Sequence, residues 1–416
     1  MRFMARQPVF DRSLKVFGYE LLFRSGLENF ARIEDIDQAS SVTIDNSLLW
    51  GFDQLCEGKR ALVNCTREVL TKRLVEVLPP RRTVVEVLED IRPDKEVIEA
   101  CRSLKGKGYS IALDDITTMA EVEPYLGIVE MVKVDFRLID EWKREQLAEQ
   151  LRRYQIVALA EKVETRQEYR DAIDMGYTLF QGFFFQRPEL MKTQDIAPLQ
   201  AGSFRLLEAI QHAELDFWAV EQLVRTEPTL CLRLLHYLNS PLFAFGKDIV
   251  SVRHALSLLG EREIRKWLLV SLAAQLGKNK PEELVVWALT RSRFCELLSE
   301  KISGGLDGSF LMGMLSAFPA LLEVPLERVV ASIPIETTIK AALLGGPGEY
   351  GDVLDVVTCY EAAEWRSCDK RRRNVRLTEH TVSSCYLAAL NWARAVSGEV
   401  TGAKNRSDSV AIEVTA

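Results

Sequence analysis

The chain has 416 residues, 47% hydrophobic and 27% charged, with a formal net charge of −7; the composition is ordinary for a globular protein, and the length leads us to expect two domains. Residues 1–200 carry 29 basic against 34 acidic side chains and the remainder 24 against 26, which argues against a broad nucleic-acid platform. No apolar run reaches bilayer length, so no membrane span is expected.

The N-terminal stretch "MRFMARQPVFDRSLKVF" has no apolar core followed by a small-residue cleavage site, and does not read as a signal peptide. Eight cysteines, at 56, 65, 101, 231, 295, 359, 368 and 385, form no CxxC pair. They read as reduced thiols of a cytoplasmic protein, many of them filling core. "FGYELLFR", residues 17–24, is an apolar run that contains Glu20 and Arg24. A carboxylate in such a run needs a partner.

A repeated pattern follows. Short apolar runs end in a polar residue: "RALVN" at Asn64, "TVVEVLE" with Glu86 and Glu89, and "SIALDD" with Asp114 and Asp115. Then come "MVKVD" with Lys133 and Asp135, "IVALAEKVE" with Glu161 and Glu164, and "YTLFQG" with Gln181. From Asn64 the steps to Glu86, Asp114, Asp135, Glu161 and Gln181 are 22, 28, 21, 26 and 20 residues, each the length of one strand plus one helix. Intervening segments such as "KEVIEACRSLKGKG" have apolar residues at helical spacing and end in glycine. The pattern predicts a parallel sheet with the polar residues at the C-terminal strand ends, which in a TIM-type (β/α) barrel form the rim where ligands bind. Any one acid alone reads equally well as a helix N-cap or a surface charge; a whole series of strand ends of the same character does not.

Near residue 200 the pattern changes. The polar segment around 191–202 reads as a linker. Beyond it "FRLLEAIQHA", "WAVEQLVRTEPTLCLRLLHYLNS" and "VRHALSLLGEREIRKWLLVSLAAQL" have apolar residues at helical spacing, with Gly260 as a terminator. The expected organisation is α/β plus all-α: a barrel over 1–190, a linker, a helical domain over 203–397, and a disordered tail over 398–416. "KRRRNVR", residues 370–376, is a candidate basic patch that reads more simply as a solvated face.

The rim set consists of oxygen donors plus Lys133. Such donors suit hard cations such as Mg²⁺ or Mn²⁺ better than Zn²⁺. Two cations sharing a carboxylate are a known arrangement for phosphodiester hydrolysis. In that chemistry a nearby Glu takes a proton from water, Lys133 stabilises the transition state and Arg24 holds a phosphate oxygen.

In these motifs the first domain resembles an EAL domain, the cyclic-di-GMP phosphodiesterase fold. "YELLFR" stands at the family's Glu-Ala-Leu signature, "LVNCT" at its Asn, "VEVLE" at its Glu-x-x-Glu, and "LDD" at its paired Asp. "VKVD", "AEKVE" and "QGFFFQRP" follow in the family's order. The resemblance implies two Mg²⁺ or Mn²⁺ ions held by Glu20, Asn64, Glu86, Asp114, Asp115 and Asp135. It implies Glu161 as general base with Lys133 beside it, and Arg24, Gln181 and Glu164 on the cyclic-di-GMP side, with Glu89 organising a loop. Three departures stand out: Glu-Leu-Leu at the signature, Lys162 in place of a glycine, and "DDITTMAE" where the family loop has two glycines.

"EPTLCLRLLHYLNSPLF", "IVSVRHALSLLGEREIRKW" and "FLMGMLSAF" resemble the HDOD domain, a relative of HD phosphohydrolases without their metal dyad. The four histidines, at 212, 236, 254 and 380, are not followed by Asp, so this domain is expected to be non-catalytic and to bind a regulatory protein partner. Two functions stay open. One is metal-dependent hydrolysis of cyclic-di-GMP to linear pGpG. The other is a degenerate signalling scaffold that acts only through protein contacts. A homodimer is compatible with either.

Overall fold

The computed structural model describes residues 3–24, 52–182, 215–226, 228–238, 252–278, 280–302, 305–332 and 335–401. The expected linker over 191–202, His212 and the helix expected over 204–213 lie outside these residues.

Eight strands close a barrel in chain order. They are β1 Phe3–Asp11, β2 Val16–Arg24, β3 Arg60–Cys65, β4 Thr83–Val87, β5 Ser110–Leu113, β6 Met131–Asp135, β7 Val157–Glu161 and β8 Leu179–Gln181. From β2 to β8 neighbouring strands are parallel, whereas β1 runs antiparallel to both β2 and β8. The all-parallel expectation is therefore corrected at β1. The reason is local. The Asp11 carboxylate accepts the backbone N–H groups of Ser13 and Lys15, and Leu14 adopts φ 58°. A connection this tight reverses the chain, whereas a parallel pair needs a long crossover.

Helices fill the crossovers: α1 Phe52–Cys56, α2 Arg67–Thr71, α3 Lys95–Gly106, α4 Met119–Val122, α5 Glu141–Arg153 and α6 Arg166–Met175. The side-chain N-caps are Thr66 for α2, Asp94 for α3 and Thr165 for α6. The rim residues Asn64, Glu86 and Glu161 are thus not spent on capping, and their chemistry is left for the barrel interior.

Inside the barrel Val9, Leu62, Val84, Ala112, Met131, Leu159 and Leu179 form one buried apolar layer. Strand side chains alternate with period two, so the residues two positions toward the rim share its face. On β3 to β8 these are Asn64, Glu86, Asp114, Lys133, Glu161 and Gln181. On the reversed β1 the position is Gln7, and Glu20 of β2 lies opposite it in register. One polar layer therefore sits on one apolar layer.

Beyond Gln181 every regular element among the described residues is helical. These are α7 Phe217–Thr226, α8 Pro228–Leu238, α9 Val252–Leu276, α10 Glu282–Ile302, α11 Ser309–Leu322, α12 Leu326–Ser332, α13 Thr337–Leu343, α14 Glu349–Glu361, α15 Trp365–Asn374 and α16 Glu379–Thr401. Gly260, at φ 72° and ψ 167°, breaks α9 as its sequence position predicts. A β-carbon on Gly313 would meet the Ser292 Cα at 2.6 Å, so only glycine lets α11 approach α10 this closely. Helix α16 continues to Thr401, into the segment read as a tail; extending a formed helix costs little. Residues 402–416 lie outside the described set.

By its internal contacts the chain divides into two compact units. One comprises Met1–Leu190 with Asp352–Ser384, and the other Met191–Gly351 with Cys385–Ala416. No described helix is long and apolar enough to cross a membrane. None of the eight cysteines is joined in a disulfide.

Candidate functional site

The polar layer is one connected network. Lys133 Nζ lies 2.9 Å from Glu161 Oε1, 3.0 Å from Glu86 Oε1, 3.0 Å from Asp114 Oδ1 and 3.6 Å from Glu20 Oε1. Gln181 Nε2 donates to Glu20 Oε2 at 2.5 Å and to Gln7 Oε1 at 2.8 Å. Asn64 Nδ2 donates to Glu20 Oε1 at 3.0 Å. Seven strands, and Asp114 directly after β5, thus contribute one residue each to the network. It sets four carboxylates against one ammonium.

Burial makes this arrangement expensive. Glu20, Glu86, Lys133, Glu161 and Gln181 are all buried. Burial drives the Glu86 carboxyl well above its ordinary pKa, against the opposing pull of Lys133. Burial likewise pushes Glu161 up to about 8, opposed by Lys133 and reinforced by Asp114 and Glu20. Burial acts to lower the Lys133 pKa, but Asp114, Glu161, Glu20 and Glu86 outweigh it, and the ammonium is held well above its usual range. One lysine does not balance four acids, so the set has room for further positive charge.

Two observations fit a hard divalent cation. Asn64 Oδ1, Gln181 Oε1 and Glu86 Oε2 are buried without a hydrogen-bond partner among the described residues. Asp114, Asp115 and Glu161 bring ligand oxygens within 4.8 Å of one another, a spacing that suits the oxygen shell of Mg²⁺, Mn²⁺ or Ca²⁺. Lys133 touches both Glu20 and Glu86 and the Asp114 and Glu161 of this triad, so they form one continuous site.

The remaining predicted residues divide. Asp135, next toward the rim on β6, has both oxygens engaged. Oδ1 accepts the Arg137 N–H at 2.6 Å and Oδ2 accepts Lys162 Nζ. Glu164 follows β7, and its N–H donates to Glu168 Oε2 at 2.7 Å. Arg24 is the last residue of β2. Glu89 is exposed. Gln7 and Lys162 belong to the network or its edge, and sequence reasoning gave neither a role. Gln7 was missed because β1 carries no strand-plus-helix spacing; its signal is its place two residues before the inward Val9.

The "DDITTMAE" loop does not need the absent glycines. Its left-handed backbone angle falls on Asp115, at φ 46°, and not on Thr117 or Met119. Asp114 N–H donates to Val87 O at 3.0 Å and Ile116 N–H to Lys133 O at 3.1 Å, which ties the loop to both neighbouring strands. Glu121 accepts the Thr117 N–H at 3.1 Å, the Thr117 hydroxyl at 2.9 Å and the Thr118 hydroxyl at 2.8 Å. Gly182, after Gln181, stands at φ 146°, and a β-carbon there would meet Val163 O at 2.1 Å.

In the helical elements the basic run 370–376 is largely paired: Arg371 with Asp355, Arg372 with Asp369 and Glu379, and Arg373 with Asp369. It is an ion-paired helix face. Glu296 is buried with Arg262 at 2.9 Å and Lys266 at 2.7 Å, together with Arg293. His380 Nδ1 lies 3.1 Å from Ser384 Oγ.

A closed (β/α) barrel with an acid-rich rim, followed by helices, defines the class. The family comparisons agree with it. The EAL domain matches residues 66–188 and the HDOD domain residues 196–322; the first match begins after Glu20 and Asn64. Over nearly its whole length the chain is similar to two curated proteins. It is 32% identical over 400 residues to the uncharacterized protein YuxH of Bacillus subtilis, covering 94% of this chain and 97% of that one. It is 31% identical over 404 residues to the cyclic di-GMP phosphodiesterase CdgJ of Vibrio cholerae, covering 95% and 93%. Among solved structures, Klebsiella pneumoniae BlrP1 in its calcium and cyclic-di-GMP complex is 20% identical, with a TM-score of 0.38 over 45% of this chain and 55% of that one. The chain belongs to the family of proteins in which an EAL domain is followed by an HDOD domain.

Proposed function

We propose that the barrel is a divalent-cation-dependent phosphodiesterase that opens cyclic-di-GMP to linear pGpG. The observation that carries this reading is the buried polar layer, in which four acids face one lysine and Asn64 Oδ1 has no hydrogen-bond partner among the described residues. The relative named a cyclic di-GMP phosphodiesterase, similar over 95% of the chain, supports the substrate.

Glu20, Asn64, Glu86, Asp114 and Asp115 would hold Mg²⁺ or Mn²⁺, two ions per barrel. When bound, the ions supply charge neutralisation of the phosphate and acidify water. Glu161, with its raised pKa, takes the proton of the attacking water. Lys133 holds the acids of four strands in one geometry and presents a positive charge to the developing oxyanion. Arg24 and Gln181, at the ends of β2 and β8, orient the dinucleotide, with Glu164 at the edge. Asp135 braces β6 through Arg137 and Lys162.

The HDOD domain is assigned a non-catalytic role as the binding site of a regulatory protein, with occupancy of the barrel biasing that contact. The ties of the altered loop to Val87, Lys133 and Glu121 favour a retained ligand set over a degenerate scaffold. The test is incubation of the full chain with cyclic-di-GMP and Mg²⁺ or Mn²⁺, with the products identified. Linear pGpG is expected. Binding without turnover would leave the scaffold reading in place.

A further inference from the structure

Lys162 is the oddity of the rim. It follows Glu161 directly and holds φ 52°, a left-handed angle that glycine adopts freely and lysine does not. Its side chain is 59% exposed, yet its ammonium reaches down to Oδ2 of Asp135, which is 1% exposed. Asp135 stands opposite Glu161 in the β6–β7 register. The ion pair therefore lies beside the Asp114, Asp115 and Glu161 oxygens. The Lys162 charge is felt by Asp115 and Glu161 as well as by Asp135.

We propose that the Lys162 ammonium is a built-in counter-ion of the Asp114–Asp115–Glu161 triad, and that it raises the divalent-cation concentration at which this part of the site fills. The inference rests on the cation-binding reading above. A divalent ion approaching the triad meets a fixed positive charge. It also finds the neighbouring Asp135 carboxylate already neutralised. Both effects weaken binding at the triad and leave Glu20, Asn64 and Glu86 on the far side less affected. The barrel would then load its cations unequally, with the triad position filling last and setting the metal requirement.

The experiment is a Mn²⁺ titration of the full chain by calorimetry, with bound Mn²⁺ counted by electron paramagnetic resonance. Wild type, Lys162→Met, Lys162→Gly and Lys162→Arg are compared, and circular dichroism checks folding. Met and Gly both remove the charge, whereas only Gly relieves the backbone angle. The weaker binding event should tighten on the order of tenfold in both, the scale of one charge roughly 6 Å from a divalent ion at the water-like dielectric of about 80 that suits an exposed ammonium. Lys162→Arg should bind as wild type does. Identical isotherms, weaker binding, or an effect confined to the Gly variant would overturn the counter-ion role while the cation site stands. Absence of Mn²⁺ binding in all four folded proteins would remove the cation reading itself, and this inference with it.

Discussion

Asn64 donates through Nδ2 to Glu20 Oε1 at 3.0 Å, which leaves its own Oδ1 buried without a hydrogen-bond partner among the described residues. The amide must face the carboxylate nitrogen-first, because the reverse would set two acceptors against each other. Its oxygen is thereby aimed away from Glu20, as a cation ligand. Asn64→Ala is expected to weaken Mn²⁺ binding by at least about 10- to 100-fold, the loss seen when a group that merely supports a metal ligand is removed. Calorimetry on the folded variant checks this, and an unchanged affinity would exclude Asn64 as a ligand.

Lys133 is 1% exposed and lies within 3.6 Å of carboxylate oxygens from four different strands. Lys133→Met keeps the volume and deletes the charge. In chelator at neutral pH the variant should lose about 3–5 kcal/mol, the cost of leaving buried charge uncompensated. Saturating Mn²⁺ should restore part of the loss. Urea unfolding with and without the ion measures both, and a loss below about 1 kcal/mol would mean that the acids are not charged together.

The pH dependence has a definite sign. Burial raises the Glu161 pKa from 4.5 to about 8. A group with a raised folded-state pKa contributes stability that is complete below its unfolded value and is lost as pH rises through the folded one. The melting temperature of the cation-free protein should therefore fall between pH about 4.5 and about 8. Glu161→Gln should flatten the trend. Cation affinity should rise across the same window, because Glu161 loses its proton beside Asp114 and Asp115 and adds negative charge next to the ion. Thermal scans in chelator and in Mn²⁺ separate the two trends.

Glu121 braces the loop after Asp115 through Thr117 and Thr118, yet these bonds lie at the surface. Glu121→Ala should cost less than about 1 kcal/mol of global stability. It should weaken cation binding several-fold, because the loop positions Asp115, and Glu121→Gln should retain most of the affinity. Equal affinity in wild type and the Ala variant would show that the loop is held by its backbone ties alone.

The sequence by itself determined the barrel and most of its polar layer. Asn64, Glu86, Asp114, Lys133, Glu161 and Gln181 each follow an inward apolar residue by two positions, and strand periodicity needs no tertiary information. It also determined that helices follow the barrel and that a helix breaks at Gly260, because both are local. Only the tertiary structure decided how the layer is wired. Gln7 enters because β1 runs backwards. Lys133, on β6, meets four acids because closure brings β2, β4, β5 and β7 around one interior. Asp135 is taken by Lys162 because β6 and β7 align it opposite Glu161. Spacing along the chain encodes which face a side chain occupies; its partner across that face depends on strand direction, register and closure, which are properties of the whole sheet.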